Sequence, residues 1–193
     1  MYFLNKKKSI LFLGYDCKET ILLEKLRNCN YHVEHSKKKI KNFSGYDLVI
    51  SFGYKHILSK EAIATSDCEI INLHISYLPW NRGAHPNFWS FYEDTVKGVT
   101  IHLINEGIDK GDILYQKKMI FNSKNYTFSE TYEILKKEIE LLFISNMKDI
   151  LNKTYSTYPQ IGKGSFHRKK DLPRRFSGWE SNIYKEIKNL KEN

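Results

Sequence analysis

Three short apolar runs, at residues 9–13, 47–52 and 69–73, each give way to a loop carrying Gly, His or Asn, with helix-like segments between them. Runs this short, apolar on successive positions rather than on alternate ones, read as strands of a parallel sheet covered on both faces. Between the first two runs, residues 20–26 set Ile21, Leu22, Leu23 and Leu26 at helical spacing, and residues 31–34 form a weaker strand before a basic turn at 37–41. Residues 55–64 read as a second short helix. Strands alternating with short helices predict an α/β fold built from parallel βαβ units.

The rest of the chain extends that plan. Residues 74–83 hold Pro79, Asn81 and Gly83 with little periodicity, and so read as a loop leaving a strand's carboxyl end. Residues 84–93, with Phe88, Trp89 and Phe91, read as a helix; 99–104 alternate as a strand, 105–111 turn, and 112–119 return as another strand. The longest helix is predicted over 128–151, with Ser129 as its N-cap and Ile134, Leu135, Ile139, Leu142 and Phe143 on its buried face. After Pro159 comes a basic stretch, 162–175, and then a short amphipathic helix. We therefore expect a catalytic domain over 1–155 and a basic C-terminal extension over 156–193, with no internal repeat.

Composition narrows the class. A chain of 193 residues with 41% hydrophobic residues buries an adequate core without disulfides or metals. The net charge of +9 invites a nucleic-acid reading, but of the 31 basic residues 26 are Lys and only 5 Arg, beside 15 Asn and 21 Ile. Arg is the residue suited to bidentate phosphate recognition, so this mix points to a solvated lysine-rich surface. Cys17, Cys29 and Cys68 are odd in number and lack CxxC spacing, which suggests reduced thiols and a cytoplasmic protein. Lys6, Lys7 and Lys8 precede an apolar run too short for a signal sequence, and no segment is long enough to cross a bilayer. The His and Cys residues form no HExxH or Cys–His cluster, so no metal is expected.

Two segments carry chemistry. Asn72 and His74 lie two apart at the end of a predicted strand, so amide and imidazole project to one face while Leu73 points to the other. The crevice beyond a strand's carboxyl end is where open α/β sheets bind ligands. Each group could equally cap loop backbone. Asp109 sits in a turn, Gly107-Ile108-Asp109-Lys110-Gly111-Asp112, where an acid brought near His74 would orient the ring and favour its protonated form. An Asp in a glycine turn is also an ordinary structural choice.

Read together, residues 71–79, the Arg82-Gly83-Ala84 step, residues 98–102 and residues 108–113 resemble, in order and spacing, the folate-dependent formyltransferase family. That family includes methionyl-tRNA formyltransferase, glycinamide ribonucleotide formyltransferase and the nucleotide-sugar N-formyltransferases. The similarity spans roughly residues 47–117. It implies a Rossmann-like α/β domain with a mostly parallel sheet flanked by helices, and a catalytic set of Asn72, His74 and Asp109. It further implies N10-formyltetrahydrofolate as co-substrate, its pterin held largely by the backbone of His56, Ile57 and Leu58 and of Asn105, Glu106, Gly107 and Ile108. The sequence departs from the family at Trp80-Asn81, where many members carry a Lys and an aromatic residue.

The acceptor is read from what surrounds the shared core. The remainder after the long helix is short for the tRNA-gripping domain of methionyl-tRNA formyltransferase. Gly14-Tyr15-Asp16-Cys17 puts an acid where glycinamide ribonucleotide formyltransferase has a phosphate loop. The resemblance thus favours a nucleotide sugar such as a dTDP- or GDP-4-amino-4,6-dideoxyhexose, of the kind used in lipopolysaccharide O-antigen synthesis. Its contacts would come from Trp80, Arg82, Arg168 and Lys169, the last two from a segment that reads either as a diphosphate clamp or as solvated surface. Glycinamide ribonucleotide and methionyl-tRNA remain alternatives, and a homodimer is compatible with the family. A non-catalytic basic nucleic-acid module is disfavoured, since no RNP, zinc-finger or helix-turn-helix pattern is present.

Overall fold

The computed structural model describes residues 7–29 and 31–192, so Lys6 of the N-terminal lysine run lies outside it. In chain order the elements are β1 (Ser9–Gly14), α1 (Leu22–Asn28), β2 (His32–Ser36), β3 (Leu48–Phe52), α2 (Lys60–Ala64) and β4 (Glu69–His74). There follow β5 (Arg82–Gly83), α3 (Pro86–Tyr92), β6 (Lys97–Leu103), β7 (Ile113–Met119), α4 (Phe128–Asn152), β8 (Phe166–His167) and α5 (Ile183–Glu192). Six strands form one sheet in the order β2-β1-β3-β4-β6-β7. The first four run parallel, whereas β6 pairs antiparallel with β4 and with β7. The α/β fold with a mostly parallel, helix-flanked sheet is as the sequence predicts.

Strand alternation builds a core on each face. Ile10, Phe12, Leu48, Ile50, Phe52, Ile71 and Leu73 pack with α1 and α4 on one side. Leu11, Leu13, Val49 and Ile70 point the other way, onto Phe43 and Ala62 of the α2 side. Asn72 and His74 follow Ile70 at steps of two and therefore continue this second face past the apolar zone. On α4, Leu135, Ile139 and Phe143 are fully buried, while Ile134 and Leu142 are only partly so. Truncating Phe143 to Ala would cost about 3–5 kcal/mol.

Three local readings need correction. The helix expected over 55–64 forms only at Lys60–Ala64, because the Ser59 side chain accepts from the Ala62 N–H at 3.2 Å and caps it there. Residues 55–59 stay open as loop. The cap of α4 is Thr127, not Ser129: Thr127 and Glu130 exchange hydrogen bonds of 2.7 and 3.2 Å in a capping box. Ser129 Oγ instead donates to Glu180 at 2.5 Å. The third correction concerns the loop over 74–83, which ends in a strand, β5, paired in parallel with β8.

That second, two-stranded sheet joins the basic stretch to the catalytic region. His167 stacks on buried Trp89 of α3, ring centroids 3.8 Å apart and planes 8° from parallel. Further on, Ile183 of α5 joins Phe88, Trp89, Phe91 and Phe128 in a third apolar cluster. Cys17, Cys29 and Cys68 are unpaired. Among the described residues no helix is long and apolar enough to cross a membrane.

Candidate active site

The antiparallel register of β4 and β6 places Asn72 opposite His102 and His74 opposite Thr100. Asp109 reaches the same spot from the turn between β6 and β7, with φ of +51°. Asp tolerates this left-handed conformation better than most residues. Its carboxylate is shared. Oδ1 accepts from Asn72 Nδ2 at 3.3 Å, and Oδ2 accepts from the Gly83 backbone N–H at 2.8 Å. His102 Nε2 lies 3.5 Å from Oδ1, and His74 Nδ1 lies 3.8 Å from Oδ2.

Carbonyl partners set the imidazole tautomers, because a carbonyl can only accept. His102 Nδ1 donates to the Leu103 carbonyl at 2.7 Å, which in the neutral ring leaves Nε2 to accept from Asn72 Nδ2 at 3.3 Å. His74 Nε2 donates to the Asn81 carbonyl at 3.2 Å, which leaves Nδ1 facing Asp109. Burial drives the His74 pKa below its ordinary 6.5, although the Asp109 charge pulls the other way. The Asp109 charge favours the protonated ring, as the sequence suggests, but burial of the imidazole is the larger effect and acts against it. For Asp109 burial alone would raise the carboxyl, but the facing His74 and His102 rings when they carry a proton, together with the Gly83 N–H, outweigh it and hold the carboxyl well below the usual carboxylate range. The site therefore sets an ionised carboxylate beside the His74 nitrogen that is not engaged with Asn81.

Groups from outside the sheet fix this geometry. Gln160 Nε2 donates to the carbonyls of both Asp109 and Gly111, each at 2.8 Å. Tyr158 and Ile113 exchange backbone hydrogen bonds of 2.9 and 3.1 Å, which docks the segment carrying Gln160 onto the start of β7 beside the turn. Ser165 Oγ accepts from the Asn81 N–H at 2.9 Å. The segment leading to the basic stretch thus holds the loops that position His74 and Asp109.

These groups open into a crevice of about 890 Å3. It brings together nearly every residue singled out in the sequence: Asn72, His74 and Asp109; His56, Ile57 and Leu58; Asn105, Glu106, Gly107 and Ile108; and Arg168 with Lys169. Ile57 and Ile108, both lining the crevice, are 73% and 40% exposed. Among the described residues none hydrogen-bonds to the backbone of Ile57, Leu58 or residues 105–108, so those donors and acceptors face the crevice or solvent. Trp80 and Arg82 do not line the crevice. Arg82 is used inside the protein, donating from Nη2 to the Lys163 carbonyl at 2.8 Å and from Nε to that of Ser165 at 3.4 Å.

Sequence reasoning missed His102, Gln160, Tyr15, Tyr132 and His85. The hydroxyls of Tyr15 and Tyr132 hydrogen-bond to each other on the crevice wall, and burial raises the Tyr15 pKa. For His102 a signal existed, since alternation on β6 points it to one face, but only the strand register shows which one. Among the described residues no group of three or more His, Cys, Asp or Glu is arranged to hold a metal ion.

Comparison with known proteins gives consistent matches. The profile of the formyl transferase family matches residues 14–147. A methionyl-tRNA formyltransferase of Thermodesulfovibrio yellowstonii is 34% identical over 128 residues, covering 65% of this chain and 40% of that protein. The chain thus spans about two fifths of that relative's length. Among solved structures, the formyltransferase PseJ from Anoxybacillus kamchatkensis superposes with a TM-score of 0.85 at 37% identity, over 93% of this chain and 97% of PseJ. That structure contains UDP-4,6-dideoxy-4-formamido-L-AltNAc and tetrahydrofolate. A 4-N formyltransferase from Francisella tularensis, 22% identical with a TM-score of 0.75 over 93% of this chain and 87% of that one, shares the fold.

Proposed function

The chain belongs to the formyl transferase family, and on that premise we propose that it moves the formyl group of N10-formyltetrahydrofolate onto the amine of a nucleotide-linked amino sugar. The observation that carries this reading is the meeting of Asn72, His74 and Asp109 at one crevice whose other walls offer unpartnered backbone. A pterin's amide edge pairs naturally with such backbone groups, and the exposed Ile57 and Ile108 offer apolar surface to its flat ring. The likeness to PseJ across nearly its whole length supports a sugar acceptor on UDP, beside the dTDP and GDP carriers expected from sequence.

The chemistry follows from the two polar strand positions and the turn. The neutral amine attacks the formyl carbon; a C–N bond forms and the carbonyl oxygen becomes an oxyanion. Asn72 Nδ2 turns one hydrogen from its resting partners toward that oxygen, a donor worth about 3–4 kcal/mol in a preorganised site. The amine's proton passes to His74 Nδ1, and the new imidazolium is stabilised by Asp109. Collapse of the intermediate breaks the bond to the folate nitrogen, which takes a proton in turn. The Gly83 N–H donates to the Asp109 carboxylate and helps to keep it ionised.

Two predictions test the binding assignments. Leu58→Pro, which removes a backbone donor, weakens tetrahydrofolate binding far more than His56→Ala, as measured by calorimetry. Equal losses would mean that side chains, not backbone, hold the pterin. The pair Arg168→Ala with Lys169→Ala raises KM for the sugar nucleotide several-fold and leaves that for formyltetrahydrofolate within about twofold, since only one substrate's uniform binding is touched. An unchanged acceptor KM would return these cations to ordinary solvated surface.

Sequence identity with methionyl-tRNA formyltransferase, 34% over 128 residues, favours a second reading in which the amine is that of methionyl-tRNA. Initial rates with a UDP-linked 4-amino sugar, glycinamide ribonucleotide and methionyl-tRNA decide. The proposal requires the sugar to be formylated at the highest kcat/KM, and a preference for either other amine would refute it.

A further inference from the structure

Asp109 and Asn81 both hold left-handed backbone without being glycine, at φ of +51° and +58°. Each fixes part of the site. Asp109 carries the carboxylate itself, and the Asn81 carbonyl accepts from His74 Nε2 at 3.2 Å. Asp and Asn tolerate this conformation better than most residues, yet it remains strained and persists only where the surroundings over-determine it.

A single segment, residues 158–167, supplies that constraint at both places. Gln160 Nε2 donates to the carbonyls on either side of Lys110, those of Asp109 and Gly111, each at 2.8 Å. Five residues on, Ser165 Oγ accepts from the Asn81 N–H at 2.9 Å and donates to Asn81 Oδ1 at 3.1 Å. One stretch of chain thus pins the left-handed residue behind each of two catalytic groups. Gln160 does so against its own interest. Its amide nitrogen must face the two carbonyls, because they can only accept, and its Oε1 is then buried without a hydrogen-bond partner. An unpaired buried acceptor is destabilising, and a local conflict of this kind is expected where a residue serves a site rather than the core.

We propose that Gln160 and Ser165 are positioning residues: Gln160 aims the Asp109 carboxylate, and Ser165, through Asn81, aims the His74 ring. Neither lines the crevice, so neither touches substrate. The proposal rests on the assignment of the chemistry to Asp109 and His74, and holds for whichever amine accepts the formyl group.

The test joins steady-state kinetics, with formyltetrahydrofolate and the best-accepted amine, to amide hydrogen exchange followed by NMR. Gln160→Met keeps the side chain's length and removes its donor, and Ser165→Ala removes the hydroxyl. Should Gln160→Met not fold, Gln160→Ala, which leaves the space open to water, takes its place. Each variant should lower kcat by about tenfold to 100-fold, the scale of a small misplacement of a catalytic group. Both KM values should stay within about twofold of wild type. Double-mutant cycles separate positioning from folding. Gln160→Met should add less than about twofold to the loss caused by Asp109→Ala, and Ser165→Ala likewise to that of His74→Ala. Independently of turnover, the Gly83 N–H, which donates to Asp109 Oδ2, should exchange about tenfold faster in Gln160→Met. The N–H groups of Arg82 and Ala84, which donate to the Ser165 and His167 carbonyls, should keep their wild-type rates. A kcat within about twofold of wild type would remove the residue concerned. Losses that multiply in the cycles, or all three amides loosening together, would overturn the proposal, since the segment would then serve the whole fold. If wild type formylates none of the amines, the functional reading fails, and the Gly83 exchange alone decides whether Gln160 holds the turn.

Discussion

Asn72→Ala, His74→Ala and Asp109→Ala each lower turnover by about 100-fold or more with both substrates saturating, the scale expected for losing an oxyanion donor or the group that supports it. Melting temperatures should change little by comparison, since the three groups line a crevice rather than fill a core. A variant retaining more than about a tenth of the wild-type rate would remove its residue from the mechanism. The pH profile adds a sign. Burial holds the His74 pKa below 6.5, so the rate in the reacting complex stays level as pH falls to that value and drops only beneath it. Asp109 raises that pKa, and so Asp109→Asn should move the residual acid limb to still lower pH. A shift to higher pH would contradict the assignment of the limb to His74.

Gly111→Ala should be among the most destabilising single substitutions in the molecule. A Cβ built at Gly111 lies 1.7 Å from the Leu103 carbonyl oxygen and 2.6 Å from its carbon. Both are backbone, and that backbone is already tied to the turn, because the Leu103 N–H donates to the Asp112 carbonyl at 2.8 Å. No side chain can swing away to make room. The cost should reach or exceed the upper end of ordinary overpacking, about 3 kcal/mol, and a fall in melting temperature of about 6 °C or more follows for a chain of this size. Activity should fall with it even in the folded fraction, because the Gln160 amide that grips the Gly111 carbonyl also grips that of Asp109. Urea unfolding measures the first effect, and a loss below about 1 kcal/mol would mean that the turn is far softer than its contacts indicate.

What could be read from sequence followed from periodicity. The step of two between Asn72 and His74 put both on one face, and the apolar runs at 9–13, 47–52 and 69–73 became β1, β3 and β4 nearly intact. Asp109 entered through family resemblance, because no local pattern says that a turn 35 residues downstream of His74 folds back upon it. The supports of the site were not legible. Gln160 works through backbone carbonyls, Ser165 through a loop N–H and Gly83 through its own N–H to Asp109, contacts that any polar side chain or any residue could make. The internal role of Arg82 was likewise not legible. Expected from sequence as an acceptor contact, its guanidinium here binds the Lys163 and Ser165 carbonyls and ties down the basic stretch. The helix expected over 55–64 failed for a related reason: composition cannot show where Ser59 caps, and the residues left open before it line the crevice.

The central claim is that the crevice at Asn72, His74 and Asp109 passes a formyl group from folate to a sugar amine. It is tested most directly by supplying formyltetrahydrofolate carbon-labelled in the formyl group together with a UDP-linked 4-amino sugar, and following the label by NMR. With the wild-type chain the label should appear as a formamide on the sugar, at a rate that His74→Ala reduces to near background. Label recovered as free formate, or formamide formed equally well by His74→Ala, would contradict the account.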